Sequence, residues 1–321
     1  MAWIRPPVES SDRAVRLRCA TARQAPLSLL HVLTRFAPAP TGYLHLGHVV
    51  NALHVWGAAR ERDGRVILRI EDHDRQRSRL EYETSIIEDL AWLGFKHDGE
   101  VIRQRDRHHI YHGALQRLID RELVYGCTCT RAEIQGAGIG PASARAASDE
   151  LRRGHAVAAS GREGGDQGSG ETRYLNTCRD KGIPLGDSVG WRVIMTPGIE
   201  RFFDEILGPQ EQDPSEQCGD LLVRDRMGNW TYQYAVTVDD HVQRITDVIR
   251  GQDLLSSTGR QIRLAKLLGR QEMPRFRHHA LVMKSLAQKL SKSDHDTGVR
   301  DLRTAGWTAE KVLEKAATLM G

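Results

Sequence analysis

From Ser28 onward, apolar positions alternate between short continuous runs and helical stripes. Residues 29–36 form a run of the first kind and read as a buried strand, punctuated by Pro38, Pro40 and Gly42. Residues 47–63 carry Val50, Leu53, His54 and Gly57 on one side, which predicts a helix stopped by Gly64. Residues 66–70 read as a second strand. Residues 81–93 place Ile86, Ile87, Leu90 and Leu93 at helical spacing, with Gly94 after them. Residues 106–122 do the same with Ile110, Leu115, Leu118 and Ile119. Strand, helix, strand, helix is the βαβ rhythm of a parallel sheet.

The rhythm breaks at residues 135–170, where 161–170 has the Gly- and Ser-rich composition of a linker. The segment reads as a surface insertion with a flexible loop. Beyond it, short strands are expected at 191–195, 200–204 and 221–224, with a turn at Gly228-Asn229. A helix begins at Tyr232, a third parallel-type strand covers 245–251, and a helix covers 260–268. A strand is expected at 280–283 and a closing helix at 308–320, N-capped by Thr308 with Glu310 in its first turn. No internal repeat is present.

Composition narrows the class. The 321 residues are 40 % apolar and 27 % charged, which fits a globular chain and excludes wholesale disorder. No apolar run approaches the roughly 20 residues that span a bilayer. The net charge of +4 is too mild to announce a nucleic-acid binder. Only eight of the 46 basic residues are lysine, and arginine grips carboxylate and phosphate bidentately. Five cysteines, an odd and sparse set, do not form a secreted disulfide framework. Residues 1–33 are Arg-rich without a long apolar core, so they read as a poorly ordered extension and not a secretory signal.

Two motifs carry chemistry. In His45-Leu46-Gly47-His48 a glycine and two imidazoles open a helix directly after a strand and a Pro-Gly turn. A helix N-terminus offers free N–H groups and a positive dipole end to phosphate. The imidazoles can donate to a phosphate that gains charge in the transition state. Such a pair alone is also an ordinary core, surface or metal-binding feature. The second motif, Lys289-Leu290-Ser291-Lys292-Ser293, offers two ammonium groups and two hydroxyls, enough to cover a triphosphate; alone it is a solvated basic loop.

In this order, each after a strand, the two motifs resemble the signatures of class I aminoacyl-tRNA synthetases. The stretches from Arg35 to His48, from Arg69 to Ser78, from Tyr232 to His241 and from Val248 to Asp253 narrow the resemblance to glutamyl-tRNA synthetases. It covers roughly 34–134 and 171–294. Only the stretch to Gly321 follows Ser293, so the chain resembles the truncated branch, the glutamyl-queuosine tRNA(Asp) synthetases. The resemblance implies an α/β fold: a doubly wound, Rossmann-like parallel sheet with an inserted zinc-binding subdomain. The implied division is an extension at 1–33, a first catalytic half at 34–126 and a zinc-binding insertion at 127–190 with its loop near 135–170. A second half at 191–293 carries the lysine loop. A tail helix follows at 294–321, with no anticodon-binding domain.

The implied enzyme is a ligase that activates glutamate with ATP and attaches it to queuosine in the anticodon loop of tRNA(Asp). By position, Arg35 and Arg250 clamp the carboxylates of glutamate, Glu71 takes its ammonium and Tyr232 lines the side-chain pocket. Ala37 and Ala39 border the same pocket; Ala39 stands where the family usually has a serine that helps hold glutamate. His45, Gly47, His48, Lys289, Ser291 and Lys292 bind ATP, with His45, His48 and Lys292 catalytic, and Mg²⁺ accompanies the nucleotide. Cys127, Cys129, Tyr174 and Cys178 match the family's structural zinc site, one ion per chain. Cys19 and Cys218 receive no role. Arg103, Arg105, Arg107, His108 and His109 form a charge run that either seats RNA or is merely solvated. The implied partners are glutamate, ATP and queuosine-bearing tRNA(Asp), for a cytoplasmic monomer without membrane contact. The alternatives are a catalytic fragment of an ordinary glutamyl-tRNA synthetase, a non-catalytic tRNA- or nucleotide-binding paralogue, and a ligase using a small acceptor.

Overall fold

The computed structural model describes residues 32–137, 172–285, 288–289 and 298–320. The first half runs β1 (Leu33–Phe36), α1 (Leu46–Glu61), β2 (Arg65–Ile70), α2 (Leu80–Trp92) and β3 (Ile102–Arg103). A 3₁₀ turn (Gln104–Arg107), α3 (His108–Ile119), β4 (Val124–Cys127) and α4 (Arg131–Ala137) follow. Next come β5 (Gly190–Val193), β6 (Glu200–Asp204), β7 (Gly208–Gln212), α5 (Pro214–Gln217) and β8 (Leu221–Arg224). The chain then forms α6 (Tyr232–Val242), β9 (Asp247–Gly251), a 3₁₀ turn (Gln252–Ser257), α7 (Thr258–Leu267) and β10 (Arg275–His279). It closes with β11 (Met283–Ser285), β12 (Gln288–Lys289), α8 (Val299–Thr304) and α9 (Ala309–Thr318).

Strands β1, β2 and β3 are parallel neighbours, and so are β9 and β10, which pair from Asp247/Arg275 to Gly251/His279. β6 lies parallel to β10, and β7 closes that edge antiparallel. The Thr246 N–H donates to Leu33 O at 2.9 Å, and the Leu33 N–H to Thr246 Oγ1 at 2.8 Å. This joins the two sets in the order β3-β2-β1-β9-β10-β6-β7. The chain works outward from β1 to β3, then returns to the other side of β1. A ligand crevice opens where the strand order reverses, outside the carboxyl ends of the strands. The carboxyl ends of β1, β2 and β9 and the start of α1 therefore meet at one place.

Burial follows the expected stripe in α2 but not in α1, where Val50 is buried and Leu53, His54 and Gly57 are only half-buried, because the face turned to the sheet is the one carrying the small alanines. Val49, Val50, Ala52, Val55, Ala58 and Ala59 of α1 are buried with Phe36, Leu68, Ile70, Ile86 and Leu90. Small alanines let the helix approach the sheet closely. Val299, Leu302, Val312 and Ala316 join the same cluster, so the final two helices are part of this core. Thr308 caps α9 by accepting from the Lys311 N–H, as its position predicts. A second cluster gathers Tyr111, Leu115, Leu118, Val193, Val223, Trp230 and Tyr234 under α3, α6 and a separate antiparallel sheet, β4-β5-β8.

The strand expected at 280–283 is displaced. The strand here is β10, Arg275–His279, held between β9 and β6. Its sequence, Arg-Phe-Arg-His-His, hides it from an apolar reading, because its two buried histidines are satisfied by polar partners, His278 by the buried Asp204 and His279 by Asn51 and the Ala280 carbonyl. Met283–Ser285 instead pairs antiparallel with Gln288–Lys289. Residues 135–137 of the expected loop complete α4; 138–170 lie outside the described residues, as do 1–31.

Candidate active site

His45 is the N-cap of α1. Its Nδ1 accepts from the Gly47 N–H at 3.1 Å, and His48 Nδ1 accepts from the His45 N–H at 3.1 Å. Each Nδ1 must keep its lone pair to do this, which puts the ring proton on Nε2. Both imidazoles thus hold a donor ready, with ring centroids 3.9 Å apart. Gly47 is required by the first ring: a Cβ there would meet His45 Cε1 at 2.9 Å. The Val299 N–H donates to Leu44 O at 2.7 Å, and His45 bridges to Gly298. Val282 lies on the other side, within reach of a Cβ at Gly47. The chain therefore leaves for the lysine loop beside this turn and returns beside it. Ser291 and Lys292 themselves lie outside the described residues, and Lys289 is described only as part of β12.

Behind this turn lies a buried ionic network. Asp240 Oδ1 accepts from Arg35 Nε at 3.1 Å and from Arg69 Nη1 at 2.7 Å. Arg69 Nη2 donates to Glu71 Oε1 at 3.2 Å. Burial would raise the Asp240 carboxyl, but Arg35 and Arg69 outweigh it and pull it down to about 2. Burial pushes Glu71 above the ordinary carboxylate range, against the pull of Arg69. Asp239 anchors the next layer, accepting from Arg107 Nε at 2.6 Å, Gln104 Nε2 at 2.9 Å and the Tyr111 hydroxyl at 2.8 Å. Ala37 and Ala39 lie half-buried on the extended segment after β1, where the Glu71 N–H donates to Pro38 O at 3.0 Å.

Arg250, at the end of β9, is held differently. Nε donates to His278 Nε2 at 3.0 Å, Nη1 to Gln261 Oε1 at 2.7 Å and Nη2 to Thr258 Oγ1 at 2.9 Å. Burial lowers its hold on the proton. Tyr232 stands over it at the start of α6, half-buried; burial and then the charge of Glu71 push its hydroxyl up to about 12. Arg35, Glu71, Tyr232 and Arg250 are thus brought within electrostatic reach of one another. Asp240, Arg69, His278 and Gln261 escaped the sequence reading. Asp240 and Gln261 sit inside the stretches that carry the resemblance or beside them; His278 follows a strand that polarity concealed.

The charge run at the start of α3 is divided. Arg103 and Arg105 pair with Glu83, Arg105 also with Asp72, and Arg107 with Asp239. His108 accepts from Trp230 Nε1 at 2.8 Å, while Arg105, His108 and His109 remain exposed.

Three thiols meet between β4 and the segment after residue 172. The Sγ atoms of Cys127, Cys129 and Cys178 all lie within 4.8 Å of one another. The Tyr174 hydroxyl is 3.4 Å from Cys127 Sγ. Tetrahedral zinc with bonds of about 2.3 Å to sulfur needs donors at this order of spacing. Burial would raise the Cys178 thiol, but hydrogen bonds from the Tyr174 hydroxyl and the Thr128 backbone outweigh it and pull it down to about 6. A thiolate is the form that binds metal. Gly219, at φ +66°, lets the backbone run against Tyr174; a Cβ would meet Tyr174 O at 1.9 Å.

A family model described as the catalytic domain of class I tRNA synthetases (E and Q) matches residues 31–320. The chain is 41 % identical over 267 residues to a glutamyl-Q tRNA(Asp) synthetase of Bordetella bronchiseptica, covering 83 % of this chain and 76 % of that one. It is 35 % identical over 288 residues to one of Rhodobacter capsulatus, covering 86 % and 96 %. Among solved structures, a glutamate tRNA ligase of Elizabethkingia meningosepticum in complex with its amino acid is similar at 28 % identity and a TM-score of 0.62. That match covers 87 % of this chain, which spans about half, 54 %, of the ligase. With its two imidazoles at a helix start on the reversal point of a parallel sheet, the chain belongs to the class I aminoacyl-tRNA synthetases, in the family of the glutamate and glutamine enzymes.

Proposed function

We propose that this chain activates glutamate with ATP and transfers it to the queuosine base in the anticodon loop of tRNA(Asp). The observation that carries the reading is Arg250: a buried guanidinium fixed by three uncharged acceptors, beside Arg35, Glu71 and Tyr232. A buried guanidinium with no carboxylate among its described hydrogen-bond partners suits an anionic ligand. Relatives of 35–41 % identity named glutamyl-Q tRNA(Asp) synthetase support the acceptor.

In this reading Arg35 and Arg250 hold the carboxylates of glutamate and Glu71 takes its ammonium. The α-carboxylate attacks the α-phosphorus of ATP, and pyrophosphate leaves. The Nε2–H groups of His45 and His48 donate to the phosphate as its charge grows. Lys292 is assigned the neutralisation of the departing pyrophosphate and Lys289 and Ser291 the binding of ATP, whose Mg²⁺ would add positive charge. A hydroxyl of the queuosine cyclopentenediol then attacks the adenylate carbonyl, and AMP leaves. Cys127, Cys129, Cys178 and Tyr174 would hold a structural zinc, which would tie β4 to the segment after residue 172 and supply no step of the reaction. The protein acts as a cytoplasmic monomer.

Labelled glutamate is offered with queuosine-containing and queuosine-free tRNA(Asp), each with and without its 3′-terminal adenosine. Transfer that needs queuosine and survives loss of the adenosine is expected. Label confined to the adenosine points to an ordinary glutamyl-tRNA synthetase. Absence of glutamate-dependent ATP–pyrophosphate exchange points to a binding paralogue, and products formed without RNA to a small acceptor.

A further inference from the structure

Buried arginines near this site fall into two kinds. Arg35 and Arg69 share Asp240, and Arg107 has Asp239. Among the described residues no ion pair includes Arg250, although it is only 4 % exposed. Its fork donates to His278, Gln261 and Thr258, and the Tyr232 hydroxyl is a further hydrogen-bond partner.

Two of these acceptors, His278 and Gln261, are turned toward the fork by a residue behind them. Asp204 is fully buried; its Oδ1 accepts from the backbone N–H groups of Ile206 and Leu207 at 3.0 Å each. Its Oδ2 lies 2.6 Å from His278 Nδ1. A carboxylate can only accept, so Nδ1 carries the proton and His278 Nε2 turns a lone pair to Arg250. Gln261 donates through Nε2 to Gln233 Oε1 at 2.7 Å, and Gln233 donates to Ser257 Oγ at 2.8 Å. That chain turns Gln261 Oε1 toward the guanidinium. An acid in place of Gln261 could still accept from the fork, but it would add a counter-charge and lose the donor to Gln233 Oε1, so the amide serves both the charge and the chain behind it.

We propose that Asp204, His278 and Gln261 are positioning residues for substrate selection: they fix the Arg250 fork without neutralising it, leaving one full buried positive charge for a substrate carboxylate, so that the pocket takes a dicarboxylic amino acid over its monocarboxylic amide. The inference rests on the reading that Arg250 holds glutamate.

The test compares the full wild-type chain with Gln261→Glu, His278→Gln and His278→Glu in ATP–pyrophosphate exchange, with glutamate or glutamine as substrate. Gln261→Glu supplies an internal counter-ion. It is expected to raise the KM for glutamate about tenfold or more and to lower the preference for glutamate over glutamine. The KM for ATP stays within about twofold and the melting temperature does not fall. His278→Gln keeps an uncharged acceptor and retains the glutamate KM within about threefold, whereas His278→Glu raises it like Gln261→Glu. A glutamate KM unchanged in Gln261→Glu, or a loss spread equally over glutamate, ATP and stability, overturns the inference while leaving the activity in place. No exchange by the wild-type chain overturns the functional reading, and this inference with it.

Discussion

Asp240 Oδ1 receives Arg69 Nη1 at 2.7 Å, and the pair lies buried beneath the carboxyl ends of β1, β2 and β9. Arg35 donates to the same oxygen, so one acid organises two cations drawn from two different strands. Removing the acid leaves Arg35 buried without a carboxylate partner and Arg69 with only Glu71 and the more distant Asp239. Asp240→Ala is expected to cost about 3–5 kcal/mol of stability, the usual penalty for breaking a buried pair. Denaturant unfolding of wild type and variant checks this. The folded Asp240 carboxyl sits at about 2, below its unfolded value of 3.8, so its contribution is present above pH 3.8 and is lost as pH falls toward 2.

His45 serves two purposes that one pair of substitutions separates. Its Nδ1 caps α1, and its Nε2–H is the donor offered to phosphate. His45→Asn retains a good capping side chain but removes that donor; His45→Ala removes both. Exchange is expected to fall about 10²–10³-fold in each. Only the alanine variant should also lose about 1 kcal/mol of stability.

Gly47→Ala tests the packing of the same turn. The new methyl would lie 2.9 Å from His45 Cε1, so the ring must swing aside. Alanine itself favours a helix by about 1 kcal/mol over glycine. Exchange should drop well below wild type while the melting temperature holds or rises.

Metal analysis reads the thiol cluster directly. Protein purified without chelator is expected to carry about one zinc per chain, because three thiolates and a phenolate complete a tetrahedral set. Cys178→Ser should lose most of it, and with it the tie between β4 and the segment after residue 172. Full occupancy in that variant would exclude Cys178 as a ligand.

His278 supplies a pH signature in stability. Burial, and then the charge of Arg250, lowers it from 6.5 to about 4 in the fold. Between those values the unfolded chain binds the extra proton, so this contribution weakens as pH falls from 6.5 toward 4. The stability difference between wild type and His278→Gln should therefore shrink by about 2 kcal/mol from pH 7 to pH 5. Denaturant titrations at the two pH values measure it.

Much of the first half was legible because its signals are local. A helix opening at His45 to His48, a glycine stop after α1 and the apolar stripe of α2 depend on neighbours three or four residues away, and the observed helix bounds follow them closely. Leu33–Phe36 and Asp247–Gly251 fall within the strands expected from apolar runs, and Arg65–Ile70 begins one residue before the expected one. β10 was misplaced because its burial is offset by ion pairing and hydrogen bonding, which hydropathy does not register. The two imidazoles, Arg35, Glu71, Tyr232 and Arg250 could be named from their order along the chain. Asp204, 74 residues before His278, could not be connected to it by any local pattern.

Residue order alone determined the helix starts, the βαβ succession and the chemistry present: imidazoles, guanidinium groups and thiols at motif spacing, each set by short-range geometry. Only the tertiary structure decided which acids answer which arginines. Charge in a protein is compensated across space, and the fold gave Asp240 to Arg35 and Arg69 and left Arg250 among uncharged acceptors. That difference arises from strand order, which brings β9 beside β1 and β10 beside β9 so that residues more than 200 positions apart share one hydrogen-bonded cluster.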